Sequence, residues 1–71
     1  SPRKEMELAA AEGEIAAEAV LPYPPGIPVL VPGEKITAES IDFLQECRRK
    51  GIEVRGWANT SRETIWVGDI D

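Results

Sequence analysis

Hydrophobic and polar positions follow two clear periods along this chain, one helical and one extended. Between residues 37 and 51 the apolar side chains return every three to four positions. At 100° per residue Phe43, Cys47, Ser40, Leu44 and Ile41 fall within an arc of about 160°, opposite Glu39, Asp42, Gln45, Glu46, Arg49 and Lys50. That spacing predicts an amphipathic helix with one buried face. Thr37 can cap its first turn, although Ser40 stands where a full capping box would take Glu or Gln. Glu39 near the start and Arg48-Arg49-Lys50 at the end suit the helix dipole, and Gly51 closes the element.

Beyond the helix the period drops to two. Ile52-Glu53-Val54-Arg55-Gly56-Trp57 alternates, as does Thr64-Ile65-Trp66-Val67, with the polar run Asn59-Thr60-Ser61-Arg62-Glu63 between them. Two strands over residues 52–67 are expected. If they pair antiparallel, Trp57 and Trp66 share a face across the ladder. The tail, residues 68–71, reads as a frayed end.

The first third of the chain is less regular. Residues 4–12 are rich in Ala, Glu and Leu, strong helix formers, and Gly13 stands where a left-handed C-terminal cap would go. A short N-terminal helix is expected there. For residues 15–20 the alanines allow helix to continue, while Ile15, Val20 and the approaching Pro22 point to a strand; the strand is preferred. Pro22, Pro24, Pro25, Pro28 and Pro32, five of the six prolines, then crowd into residues 22–34. Each fixes φ and removes a backbone donor, so this stretch is expected to run extended, with turns at Pro25-Gly26 and Pro32-Gly33. Residues 27–31 between those turns suit an edge strand. The sum is a small α+β domain over residues 1–71: a short N-terminal helix, an extended Pro-rich segment, one amphipathic helix and a terminal strand pair.

Composition narrows what such a domain can do. A unit of 71 residues buries only about 60% of the surface its unfolded chain exposes, so it has little material to spare for an active site. One cysteine and no histidine exclude a disulfide framework and the common zinc sites. The net charge of −5 opposes nucleic acid and anionic membrane surfaces, which both attract basic proteins. No stretch approaches the roughly 20 apolar residues of a membrane helix, and Ser1-Pro2-Arg3-Lys4 is not followed by the apolar core of a signal peptide. A cytoplasmic location is the expectation.

Catalytic constellations are hard to find. Without histidine the commonest general base is missing, and Ser1, Ser40 and Ser61 lack a nucleophile-elbow setting. Cys47, on the inner face of its helix, reads as a small core side chain. Glu12, Glu14 and Glu18 could pair on a helix, with a solvated face as the ordinary reading and a carboxylate cluster for a basic ligand as the alternative. Asn59-Thr60-Ser61 fits a glycosylation sequon by chance. Pro25-Gly26-Ile27-Pro28 fits P-x-x-P, but it lacks basic flanks and runs straight into aliphatics.

One motif is more specific. Gly13-Glu14-Ile15-Ala16-Ala17-Glu18, followed by Pro22-Tyr23-Pro24-Pro25-Gly26-Ile27-Pro28-Val29-Leu30-Val31-Pro32-Gly33-Glu34 and Ile36-Thr37, resembles the C-terminal domain of the bacterial ornithine/lysine/arginine decarboxylases. The likeness extends over about residues 8 to 67, with Gly51, Gly56 and the closing Thr64-Ile65-Trp66-Val67 also meeting the family pattern. It departs at Glu14, where many relatives carry Arg, and in its short lead-in over residues 1–7, which suggests a trimmed or proteolysed piece.

The resemblance implies a large pyridoxal-phosphate enzyme of aminotransferase-like fold that removes the α-carboxylate of arginine, lysine or ornithine, with the cofactor as electron sink, to give agmatine, cadaverine or putrescine. The Schiff-base lysine of such enzymes lies in a Ser-x-His-Lys motif of the large domain. This chain has no such motif, and Lys4, Lys35 and Lys50 do not replace it, so the domain alone is expected to be inactive and to bind no cofactor. Its implied partners are the large cofactor domain and a second subunit of a homo-oligomer. The stretch Tyr23 to Glu34 is the candidate contact, with Val29, Leu30 or Val31 partly buried in it. Glu18 and Glu34 are candidates for attracting a cationic substrate, against the plainer reading of a turn hydrogen bond or an exposed charge. Two other classes stay open: a free-standing binding or regulatory module descended from this domain, and a proline-motif ligand.

Overall fold

The computed structural model describes residues 2–69. Its elements are strand β1 (Arg3–Glu7), a single 3-10 turn (Leu8–Ala10), β2 (Leu21–Tyr23), helix α1 (Ala38–Arg49), β3 (Glu53–Arg55) and β4 (Thr64–Gly68). The α+β class holds. The arrangement of the strands does not follow sequence order.

β1 pairs antiparallel with β4, Arg3 opposite Gly68 and Glu7 opposite Thr64, while β2 pairs antiparallel with β3, Leu21 opposite Arg55 and Tyr23 opposite Glu53. The two expected C-terminal strands therefore exist, but each takes an N-terminal partner. Trp57 and Trp66 consequently do not share a ladder. Trp66 lies under the Arg3 guanidinium, 4.3 Å from the ring centroid, and Trp57 lies beside Arg48 at 5.4 Å.

The expected helix over residues 4–12 is replaced by β1 and the 3-10 turn. Helix propensity here is worth tenths of a kcal/mol per residue. A five-residue ladder with β4 and the burial of Leu8 outweigh it. Glu12 and Glu14 accordingly sit on no helix, and Glu18 is separated from them by extended chain. Gly13 does adopt a left-handed conformation, φ +87°, but it turns the chain into the next segment: its N–H donates to the Ile36 carbonyl at 2.9 Å.

Residues 15–20 form neither a helix nor a full strand. Ile15 bridges Lys35, Ala16 bridges Val67, and Val20 bridges Leu30. The chain at Ile15 to Ala17 thus fills the space between β4 and residues 33–36, closed by Gly68 N–H to Ile15 O at 2.8 Å and Ala16 N–H to Glu34 O at 2.9 Å. In residues 27–31 only Leu30 bridges, so the expected edge strand shrinks to a single contact. The two glycine turns form as expected, with Gly26 at φ +87° and Gly33 at φ +91°. Pro22 occupies the middle of β2, opposite Val54.

The helix is where its period placed it. Thr37 caps it, its Oγ1 accepting from the Ser40 N–H at 3.1 Å, and Gly51 follows the last turn at φ +80°. Ile41, Leu44 and Cys47 are buried against β2 and β3. Phe43, expected on the same face, is 51% exposed, at the edge of the apolar arc rather than its centre. Leu8, Val20, Leu30, Ile36, Val54, Ile65 and Val67 complete one core with the helix stripe. The frayed end expected over residues 68–71 begins later than Gly68, which closes β4; residues 70 and 71 lie outside the described residues.

Candidate functional site

Residues 20–30 make a loop whose ends meet. Val20 N–H donates to Leu30 O at 3.0 Å, and both Val29 and Leu30 donate back to Val20 O, at 2.9 and 3.1 Å. Inside that closure the chain turns at Pro24-Pro25, where Gly26 N–H reaches Pro22 O at 2.8 Å. The peptide bonds before Pro24 and Pro25 are cis. The positive φ of Gly26 interrupts Pro25-Gly26-Ile27-Pro28, so that stretch does not form the left-handed polyproline helix a P-x-x-P groove would read.

The motif side chains divide by environment. Leu30 is buried in the core of this domain and Val29 packs partly against it. Tyr23, Ile27 and Val31 are exposed, as are Pro24, Pro25, Pro28, Pro32, Gly33 and Glu34, with Gly26 half-buried. The aliphatic run thus supplies one plug to its own domain and leaves Ile27 and Val31 outside.

Arg55 joins this surface from β3. Its guanidinium stacks over Tyr23, 4.0 Å from the ring centroid, and its Nε donates to Glu53 Oε2 at 2.9 Å. Period-two alternation puts Arg55 and Tyr23 on outward positions of their strands. What the sequence does not reveal is that β3 lies beside β2, so this pair could not be read from it.

Glu18 and Glu34 are not brought together into a substrate site. Glu18 Oε2 accepts from Arg3 Nη1 at 2.7 Å, on the rim of an open groove of about 620 Å³ lined by Arg3, Ala16, Ala17, Glu18, Gly33 and Gly68. Its two charges satisfy each other. Glu34 is exposed and contributes backbone bonds, its N–H to Val31 O at 3.0 Å and its carbonyl to Ala16.

The other candidates are surface or core groups. Lys4 Nζ lies 3.9 Å from Asp69 and Lys50 Nζ lies 3.6 Å from Glu46, while Lys35 is exposed. Cys47 is a buried free thiol. Asn59 Oδ1 accepts from Ser61 Oγ at 3.0 Å and Arg62 N–H at 3.1 Å, bracing the turn before β4. The Glu46 carboxyl is held below the usual carboxylate range, first by the hydrogen bond from Arg49 and then by the nearby positive charges of Arg49 and Lys50.

Comparison with known proteins accounts for the motif. Residues 2–62 match the family model described as Orn/Lys/Arg decarboxylase, C-terminal domain. An arginine decarboxylase of Bacillus subtilis is 47% identical over 62 residues, covering 87% of this chain and 13% of that protein. An arginine decarboxylase of Halalkalibacterium halodurans is 40% identical over 55 residues, 78% of this chain and 11% of the other. Among solved structures, a lysine decarboxylase of Francisella novicida superposes with a TM-score of 0.78 at 38% identity, over 94% of this chain and 11% of that one. The chain spans about one eighth or less of the length of these relatives.

Proposed function

The chain belongs to the Orn/Lys/Arg decarboxylase family, as its C-terminal domain, and from that premise we propose that it is the structural and interface domain of a pyridoxal-phosphate enzyme that decarboxylates arginine, lysine or ornithine. The observation that carries this reading is the joint match in sequence and fold to a small part of much longer decarboxylases. In the reaction the substrate's α-carboxylate leaves as carbon dioxide and a proton takes its place, giving the amine.

The residues described here do not fit the cofactor. Pyridoxal phosphate needs a lysine amine inside a closed site and a partner for its pyridine nitrogen. Lys4, Lys35 and Lys50 all lie on the surface, two of them beside carboxylates, and the groove at Arg3 and Glu18 has no lysine in its wall. No step of the chemistry is assigned to this domain. Its role is to seat on the body that performs it, in a cytoplasmic homo-oligomer.

Tyr23 to Glu34 supports that role. Prolines at 22, 24, 25, 28 and 32 leave few backbone donors to be stranded at a contact, and the loop closed by Val20 and Leu30 gives up little freedom on docking. The intact protein carrying this domain, supplied with pyridoxal phosphate, is expected to release carbon dioxide from at least one of the three amino acids. Release from none of them would refute the reading.

A further inference from the structure

The accessory-domain reading leaves open which face makes the contact. The β2–β3 sheet has a buried side, where Pro22 and Val54 lie toward α1, and by the alternation of a pleated strand Tyr23 and Arg55 stand on the other. The loop folds back over that outer side. A Cβ at Gly26 would sit 3.3 Å from the Tyr23 ring and 4.0 Å from the Leu21 side chain. Ile27, the next residue, is 65% exposed.

This ridge has features that the other exposed apolar positions lack. The Arg55 guanidinium stacks on the Tyr23 ring, which holds the two side chains together at the surface. Arg55 spends its Nε on Glu53, and its terminal Nη groups have no acceptor among the described residues. A stacked tyrosine and arginine are the residue types concentrated at the cores of protein contacts, and the exposed Ile27 follows directly on the residue that approaches that ring. Val31, Phe43 and Ile52, the other exposed large apolar residues, are stacked by no guanidinium among the described residues. Arg3 also stacks on an aromatic and pairs with a carboxylate, but Trp66 is half-buried and no exposed large aliphatic lines its groove. Most of the length of the Francisella relative lies outside the part that this fold matches, so a large body of the same chain is available to cover a face.

We propose that the outer face built on Tyr23, Ile27 and Arg55 is the surface that seats this domain on the larger body of its own decarboxylase chain. The surface it meets presents an apolar pocket for Ile27 and a carboxylate for the free side of Arg55. This rests on the accessory-domain reading above.

Hydroxyl-radical footprinting of the intact decarboxylase tests it. Corrected for intrinsic reactivity, Tyr23 and Ile27 should be labelled clearly less than Phe43 and Ile52, as for side chains desolvated in a contact core. Ile27→Asp and Arg55→Glu, both at exposed positions that the core does not use, should each return Tyr23 labelling to the level of Phe43. Equal labelling of Tyr23, Ile27 and Phe43 in the unsubstituted enzyme overturns the proposal. Protection of Phe43 and Ile52 instead would show the wrong face chosen while leaving the accessory reading standing, and protection at neither pair would count against both. Protection of Tyr23 that disappears on dilution to the dissociated protomer would assign the face to a neighbouring subunit, and that too overturns the proposal.

Discussion

Val20 and Leu30 hold each other's backbone in both directions, Val20 N–H to Leu30 O at 3.0 Å and Leu30 N–H to Val20 O at 3.1 Å, and both side chains are buried in the core. The nine residues of proline-rich loop between them are thereby tied at their base. Leu30→Ala should destabilise the domain by about 2–5 kcal/mol, the range for emptying a buried leucine site. Ile27→Ala and Val31→Ala, on exposed side chains, should stay within about 0.5 kcal/mol. Urea unfolding of the three variants checks the contrast, and equal losses at all three positions would refute the division of the loop into a plug and an outer surface.

A second prediction concerns close approach of backbone to backbone. Gly56 has φ +105°, and a Cβ built there would lie 2.1 Å from the Ala19 carbonyl oxygen. Because both atoms belong to main chain, neither can swing aside. Gly56→Ala should cost about 3 kcal/mol or more, or prevent folding. Gly13 has φ +87° with nothing within 4 Å of a would-be Cβ, so Gly13→Ala should cost only the conformational strain, about 1 kcal/mol. Thermal melts of the two variants should separate clearly; similar midpoints would show that the Gly56 contact relaxes.

The pH dependence of the helix end follows from Glu46. Its carboxyl is held low by the Arg49 hydrogen bond, with the Arg49 and Lys50 charges acting in the same sense. The folded pKa lies below the unfolded one, so the contribution is fully present above the unfolded glutamate value. It fades as pH falls through the folded value. An NMR titration of the side-chain carboxyls should place the Glu46 midpoint below that of an ordinary glutamate. In Arg49→Gln the midpoint should move up toward the ordinary range; a midpoint unmoved by that substitution contradicts the assigned cause.

Sequence pattern revealed the helix because three signals agreed there: the stripe of Ile41, Leu44 and Cys47, the Thr37 cap, and Gly51 after the last turn. The same pattern located β3 and β4 to within a few residues. It misled where a local preference met a distant partner. Lys4 and Glu5 lie in a stretch of helix formers, yet they face Val67 and Trp66 across a ladder that spans nearly the whole chain. Period-two alternation names the inward and outward residues of a strand but not its neighbour, so it does not show that β3 and β4 each pair with an N-terminal strand instead of with each other. The stack of Arg55 on Tyr23 was hidden for the same reason. The proline motif, by contrast, was legible as a family likeness, since its spacing of Pro and Gly fixes turns that little else in a chain would reproduce.

The most direct measurement is carbon dioxide release by the purified 71-residue chain, given pyridoxal phosphate with arginine, lysine and ornithine in turn. An accessory domain has no lysine placed to hold the cofactor, so release should equal that of pyridoxal phosphate free in solution. Sustained turnover above that background, lost on substituting Lys4, Lys35 or Lys50, would show that the chain carries its own chemistry.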